Sequence, residues 1–249
     1  MSTLERVREK YGISGNCPLV LFVGTLMPRK GVTELVEALG RLVDEGAGAT
    51  VQPEMDEELV TAPQPQVGEE PVTAPQPQVD GGPVVSSQST VDRAIPTPQV
   101  ILAGASELDG EYVSKIKTLL SDASLEEEVQ MPGFVPAEDL PALYTLADVF
   151  VMPSLEEGFG MCVVEAMAAG TPVVASRTGA MPRIVEDGRN GRLVDVGDVD
   201  GLAVALRELL SSSQLRDRTG EQAQYRAGDF PWIGIAEQFV LLYTEVGRE

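Results

Sequence analysis

Histidine is missing from this chain of 249 residues, and its absence removes a large block of chemistry. Without imidazole there is no Ser-His-Asp triad, no histidine general base and no histidine-rich metal site. Cysteine is almost as scarce. Cys17 and Cys162 are too few and too far apart in sequence for a zinc ribbon, and they read as two buried thiols of a reducing cytoplasm. No apolar run reaches ~18 residues, so no transmembrane segment is expected, and no charged-then-apolar signal peptide opens the chain. Lysine is held to four positions, Lys10, Lys30, Lys115 and Lys117, against fourteen arginines. With 39 acidic and 18 basic side chains the net charge is −21, which argues against nucleic acid as a partner. An acidic surface with lysine suppressed suits high salt, where the Debye length falls to ~3 Å and self-repulsion is screened.

What is present suffices for one good-sized core, since 43% of the residues are hydrophobic. Ser2-Thr-Leu-Glu5 is a capping-box pattern that opens a short helix ending near Tyr11-Gly12, and residues 1–14 read as a linker-like helix. Pro18-Leu-Val-Leu-Phe-Val-Gly24 is a continuous apolar run, the mark of a parallel strand covered on both faces. After Gly31, Val32, Leu35, Val36, Leu39, Leu42 and Val43 are spaced as the buried stripe of an amphipathic helix. Further strands are predicted at 99–104, 128–131, 147–152, 172–176 and 192–196. Helices are predicted between them at 108–123, 136–146, 160–169, 181–187 and 199–211. A C-terminal helix is expected over 231–246, with Ile233, Ile235, Phe239, Leu242 and Tyr243 on one side. This alternation predicts an α/β fold, a single Rossmann-like doubly wound parallel sheet over residues 15–230.

Residues 47–98 interrupt the alternation. They hold nine of the eighteen prolines, repeat Val-Thr-Ala-Pro-Gln-Pro-Gln-Val at 60–67 and 72–79, and contain no aromatic residue. Such a segment buries too little apolar surface to offset its ordering entropy. It is expected to be a disordered, polyproline-II-rich insertion in a surface connection.

Function concentrates in Pro153-Ser-Leu-Glu-Glu-Gly-Phe-Gly-Met-Cys-Val-Val-Glu165-Ala-Met-Ala-Ala-Gly-Thr-Pro172, where Glu157 and Glu165 stand eight positions apart. Glu157 and the Gly158-Phe-Gly160 turn precede an apolar helix that Gly170 closes and Pro172 cannot continue. A glycine-flanked helix start offers free backbone N–H groups and the positive dipole end, which suits an anionic or hydroxyl-rich ligand. Glu157 lies at the mouth of that site. Glu165 lies further along the helix, flanked by Val163, Val164, Ala166 and Met167.

These residues resemble the Glu-x7-Glu motif of retaining GT-B glycosyltransferases of the family 4 type. Four further blocks follow the family's order: Gly24-Thr-Leu-Met-Pro-Arg-Lys30-Gly31, Gly133-Phe-Val135, Leu143-Tyr-Thr-Leu-Ala-Asp148 and Gly188-Arg-Asn-Gly191. The spacing of two glutamates is weak in an acid-rich chain; five blocks in order make the resemblance strong. It implies the donor-binding C-terminal half of a GT-B fold, with a nucleotide-diphosphate sugar as ligand and neither metal nor cofactor. By the same resemblance Glu157 faces the donor sugar's hydroxyls, and Glu165 accepts from the ribose 2′ and 3′ hydroxyls through charge-assisted bonds of about 1.5–3 kcal/mol. The backbone of Gly158, Phe159, Gly160 and Met161 meets sugar or phosphate. Lys30 resembles the family's phosphate-binding lysine. Thr25 stands where the family usually has an arginine, as in those members that carry Gly-Thr-Leu-x-Pro-Arg-Lys, and Arg29 supplies the second cation. The base is placed beside Gly133-Phe134-Val135, where Phe134 reads equally as core and Val135 as a base contact. Gly179-Ala-Met-Pro-Arg183 stands where family members often read Gly-Gly-x-Pro-Glu, and exchanges an acid for a base.

GT-B enzymes place donor chiefly in the second of two Rossmann-like domains and acceptor in the first. The expectation is therefore a donor half that needs an acceptor-binding domain or subunit from elsewhere. The runner-up is a non-catalytic nucleotide-sugar-binding remnant or regulatory partner of a full-length transferase. A Rossmann oxidoreductase is weaker, because no Gly-x-Gly-x-x-Gly follows the first strand. No residue qualifies as a covalent nucleophile with an adjacent base.

Overall fold

The structure is a computed structural model that describes residues 1–48, 97–105 and 109–230. The insertion expected over 47–98, apart from its ends, and the helix expected over 231–246 lie outside the described residues.

The elements run in the order α1 (Thr3–Lys10), β1 (Leu19–Val23), a 3-10 turn at Pro28–Lys30, α2 (Val32–Gly48), β2 (Gln99–Ala103), α3 (Gly110–Asp122), β3 (Val129–Gly133) and α4 (Leu140–Leu146). They continue with β4 (Val149–Met152), α5 (Met161–Ala168), β5 (Val173–Ser176), α6 (Met181–Ile184), β6 (Gly191–Val194), α7 (Val199–Ser211) and α8 (Ser213–Ala227). The strands form one six-stranded sheet in the order β3-β2-β1-β4-β5-β6, and every pairing is parallel. Helices follow the strands as the alternation predicts, so the fold is the doubly wound Rossmann-like sheet. β2, β4 and β5 are buried along their whole length, which is why they read as unbroken apolar runs. β3 is an edge strand, and exposed Pro132 lacks the N–H that another chain could pair with.

Local chemistry sets the helix starts. Ser2 and Glu5 close the predicted capping box reciprocally, at 3.2 and 2.6 Å. Asp109, Asp198 and Ser212 cap α3, α7 and α8 by accepting from Tyr112, Gly201 and Leu215 amides. α4 begins at Leu140 rather than 136, because residues 136–139 form a turn closed by the Asp139 amide on the Pro136 carbonyl. α6 stops at Ile184, where the expectation ran to 187. There the Asn190 side chain accepts from the Glu186 amide and turns the chain towards β6. The sequence reading has no counterpart of α8, whose buried residues are Thr219, Gly220, Ala223 and Ala227, a face too polar and small to register as an apolar stripe.

Asp139 docks α1 onto the start of α4. Its carboxylate is wholly buried and accepts from Lys10 at 2.6 Å, Arg6 at 2.7 Å and the Tyr11 hydroxyl at 2.9 Å. The Lys10 bond, helped by those from Arg6 and Tyr11, holds the carboxyl at about 2, below the ordinary 3.8.

The strand order reverses between β1 and β4, which opens a crevice at the carboxyl ends of the strands. Two glycines let the loops there close on one another. Gly31 is left-handed (φ 67°), and a Cβ on it would meet the Pro153 carbonyl oxygen at 1.9 Å. Gly179 (φ 54°) stands equally close to the loop after β4: a Cβ there would lie 1.8 Å from the Glu157 carbonyl oxygen.

Because the folded pKa of Asp139 lies below its unfolded value, its contribution is complete above about pH 3.8 and is lost as pH falls towards 2. Asp139→Asn should lower the Tm at neutral pH and flatten its fall across that acid window. An unchanged acid slope in thermal unfolding would remove this residue from the acid stability. Gly179→Ala should destabilise by ~1–3 kcal/mol in denaturant unfolding, from left-handed strain and contact with the Glu157 loop. An unmoved midpoint would show that the loop has room to yield.

Candidate functional site

The loop after β1 ends in Pro28-Arg-Lys30, and the loop after β4 carries Pro153–Gly160. They are stitched together through backbone: the Arg29 carbonyl accepts from the amides of Leu155 (2.8 Å) and Glu156 (3.2 Å). This brings two residues far apart in sequence into contact. Lys30 Nζ donates to Glu157 Oε2 at 2.5 Å, and the two side chains are only 12% and 11% exposed. Ser154 Oγ donates to the same oxygen at 3.4 Å, and Glu157 Oε1 accepts from the Gly158 amide at 3.0 Å. Lys30 ends the 3-10 turn, Gly31 follows in left-handed conformation, and α2 begins at Val32. The ammonium is placed by a carboxylate.

Behind this pair stands the start of α5. Gly160 is its N-cap in left-handed conformation and gives no side-chain cap. Among the described residues the amides of Gly160, Met161 and Cys162 have no acceptor, so they present the donor end of a helix. Met161 is 50% exposed at this end. The Phe159 ring packs edge-on against Phe230, with centroids 6.2 Å apart, and the Arg226 guanidinium lies 5.0 Å from the Phe230 ring.

Glu165 is half-buried on α5. Its Oε2 accepts from the hydroxyl of Tyr144 on α4 at 2.7 Å. Its other oxygen has no hydrogen-bond partner among the described residues. Burial, reinforced by the neighbouring Cys162 and Glu165, raises the Tyr144 pKa well above the ordinary phenol value, so the hydroxyl stays a donor. Burial and the charge of Glu165 likewise raise the Cys162 thiol. Both cysteines are half-buried rather than buried as expected.

The remaining predicted residues sit along the same edge of the sheet. Thr25 is half-buried in the loop after β1, which the Leu26 amide ties to the Ala105 carbonyl at 3.0 Å. Arg29 is exposed and forms no ion pair among the described residues. Val135, just past β3, is buried, whereas Phe134 is 81% exposed and therefore not core. Arg183 on α6 is exposed. The structure joins Lys30, Glu157 and Gly158 directly; Thr25 and Val135 share their edge without bonding to either carboxylate. Sequence reasoning missed Tyr144 and Ser154. Tyr144 lies inside the block 143–148 quoted above, but no periodicity reveals a partner on another helix. Among the described residues no group of three or more histidine, cysteine, aspartate or glutamate side chains is placed to hold a metal ion, and no helix is long and apolar enough to cross a membrane.

Known proteins share the sequence pattern and the fold of this chain. The D-inositol 3-phosphate glycosyltransferase of Corynebacterium glutamicum (strain R) is 30% identical over 241 residues, which is 97% of this chain and 46% of that protein. Sucrose-phosphate synthase from Thermosynechococcus elongatus superposes with a TM-score of 0.71 at 26% identity, over 98% of this chain and 49% of that one. Anabaena HepE in complex with UDP and glucose gives a TM-score of 0.71 at 23% identity, over 98% of this chain and 52% of that one, and shares the fold. The chain thus spans about half the length of these relatives. Its residues 85–226, more than half of it, match the family of glycosyl transferases group 1, and with its sheet order and loop blocks the chain belongs to that family.

Proposed function

We propose that this domain binds a nucleotide-diphosphate sugar at the β1/β4 crevice and serves as the donor half of a retaining glycosyltransferase, with the acceptor groups supplied from outside the described residues. The observation that carries the reading is the Lys30–Glu157 pair at 2.5 Å, nearly shielded from water, beside the open amides of α5. Opening such a pair leaves two poorly solvated charges, which is costly unless a ligand satisfies both. A nucleotide sugar does so. Its diphosphate takes Lys30, and its sugar hydroxyls donate to Glu157. A plain anion would satisfy the lysine and strand the glutamate.

The chemistry then divides among this chain's own groups. Lys30, with Arg29 on the same turn, stabilises negative charge as the diphosphate departs. The amides of Gly160 and Met161, with the turn Gly158-Phe159, meet phosphate or sugar oxygens at the positive end of α5. Glu157 orients the sugar. Glu165 accepts from the ribose hydroxyls with the oxygen that Tyr144 leaves open. The base lies by Val135 at the end of β3. Retention of configuration and the hexosyl class belong to this proposal, as does Thr25 lining the phosphate side. HepE, solved with UDP and glucose, makes UDP and UDP-glucose the first ligands to try.

Glu165→Ala should weaken UDP binding by about 1.5–3 kcal/mol in calorimetry, through loss of charge-assisted bonds to the ribose. Equal affinity of variant and wild type would sink that assignment. Glu157→Gln should weaken UDP-glucose while leaving UDP no weaker, since the substitution also releases Lys30. Parallel losses for both ligands would make Glu157 structural. Transfer needs donor and acceptor held at near-attack distance in a water-poor cleft, and one Rossmann-like domain supplies one wall of it. The purified chain should bind donor, hydrolyse it slowly at best, and transfer only when an acceptor domain is added. Efficient turnover on simple acceptors by the monomeric chain would refute the half-enzyme reading.

A further inference from the structure

We infer that Tyr144 is a positioning residue for the donor site: its hydroxyl holds Glu165 Oε2 so that Oε1 faces the ribose hydroxyls. The inference rests on the reading of Glu165 as the ribose acceptor, and its test separates the two.

Tyr144 is 3% exposed, and its phenol is held from several sides. The ring packs edge-on against Phe150 of β4, with centroids 5.7 Å apart and planes at 67°. Its carbonyl accepts from the Thr171 hydroxyl at 2.6 Å, in the turn that follows α5. The same tyrosine thus bonds to α5 and to the chain leaving it. A packing role calls only for the ring, which phenylalanine would supply. The hydroxyl lies 2.7 Å from Glu165, with the protonated Cys162 thiol alongside.

Glu165 needs such a partner. A half-exposed glutamate on a helix ordinarily moves among staggered rotamers, and a ligand must then select the productive one. A donor fixed on a neighbouring helix removes that search and leaves one oxygen, with its lone pairs, for the ligand. Because the phenol is neutral, it assigns the two oxygens different tasks without cancelling the carboxylate's charge.

The experiment measures binding of UDP and of 2′,3′-dideoxy-UDP, which lacks both ribose hydroxyls, to the full chain by calorimetry. Wild type should prefer UDP by ~10-fold or more, the equivalent of a charge-assisted bond. Tyr144→Phe keeps the ring and its Phe150 contact. It should weaken UDP several-fold and leave the dideoxy compound unchanged, so the preference shrinks. Equal losses for both ligands, or an undiminished preference in the variant, would overturn the inference while leaving Glu165 as the ribose acceptor. A wild type that binds both compounds alike would overturn the reading of Glu165 and the inference with it.

Discussion

Three loops leave the carboxyl ends of β1, β4 and β5 and crowd into one space, and everything proposed for the site depends on their being able to do so. The contacts are between backbones. Gly31 lies against the Pro153 carbonyl and Gly179 against that of Glu157, each where a Cβ would stand under 2 Å from oxygen. The Ala180 amide adds a bond to the Gly158 carbonyl at 3.0 Å. Because the loops meet through backbone rather than through flexible side chains, Lys30 and Glu157 are delivered to each other by the scaffold. Side-chain chemistry alone could not choose that partner in a chain with 39 acidic residues.

The ion pair itself is a poor investment for stability. Pairs such as Arg177 with Asp187 and Asp195 are largely solvated, and exposed pairs contribute little. Lys30 and Glu157 are nearly buried, and there desolvation can exceed the Coulombic gain, so that two apolar residues of similar volume would serve the fold as well. What apolar residues could not provide is a pair of opposite charges that a ligand can separate. Under the donor-site proposal, the pair is explained by what displaces it rather than by what it stabilises. Asp139 is the contrast: with three donors converging on one buried carboxylate, it serves to dock a helix.

The legible parts of this molecule were those written in local pattern. β1, β2, β4 and β5 are buried on both faces, so their apolar runs announce them, and the capping box of α1 and the apolar face of α2 are short-range signals. α8 escaped because it buries Thr219, Gly220 and Ala223, residues chosen for close approach rather than for hydrophobicity. Within the site, the motif residues were legible singly but not as partners. Lys30 was seen without Glu157 and Glu165 without Tyr144, since each pair is made by tertiary contact. Phe134 is ambiguous for a similar reason: it follows the left-handed Gly133 that ends an edge strand and is 81% exposed, and nothing in Gly-Phe-Val distinguishes that from burial.

The register of β1 and β2 has a consequence for how this chain can change over time. Leu19 pairs with Gln99 at the start of both strands, so the connection that enters β2 arrives at the amino end of the sheet. The loops that carry Lys30 and Glu157 leave from the other end. Polypeptide can therefore be lengthened or exchanged between α2 and β2 while the strand ends that present Lys30, Glu157 and Val135 keep their spacing. The amino end of the sheet, where β2 begins beside Leu19, and the carboxyl end, which presents those three residues, are thus separated by the full length of the strands.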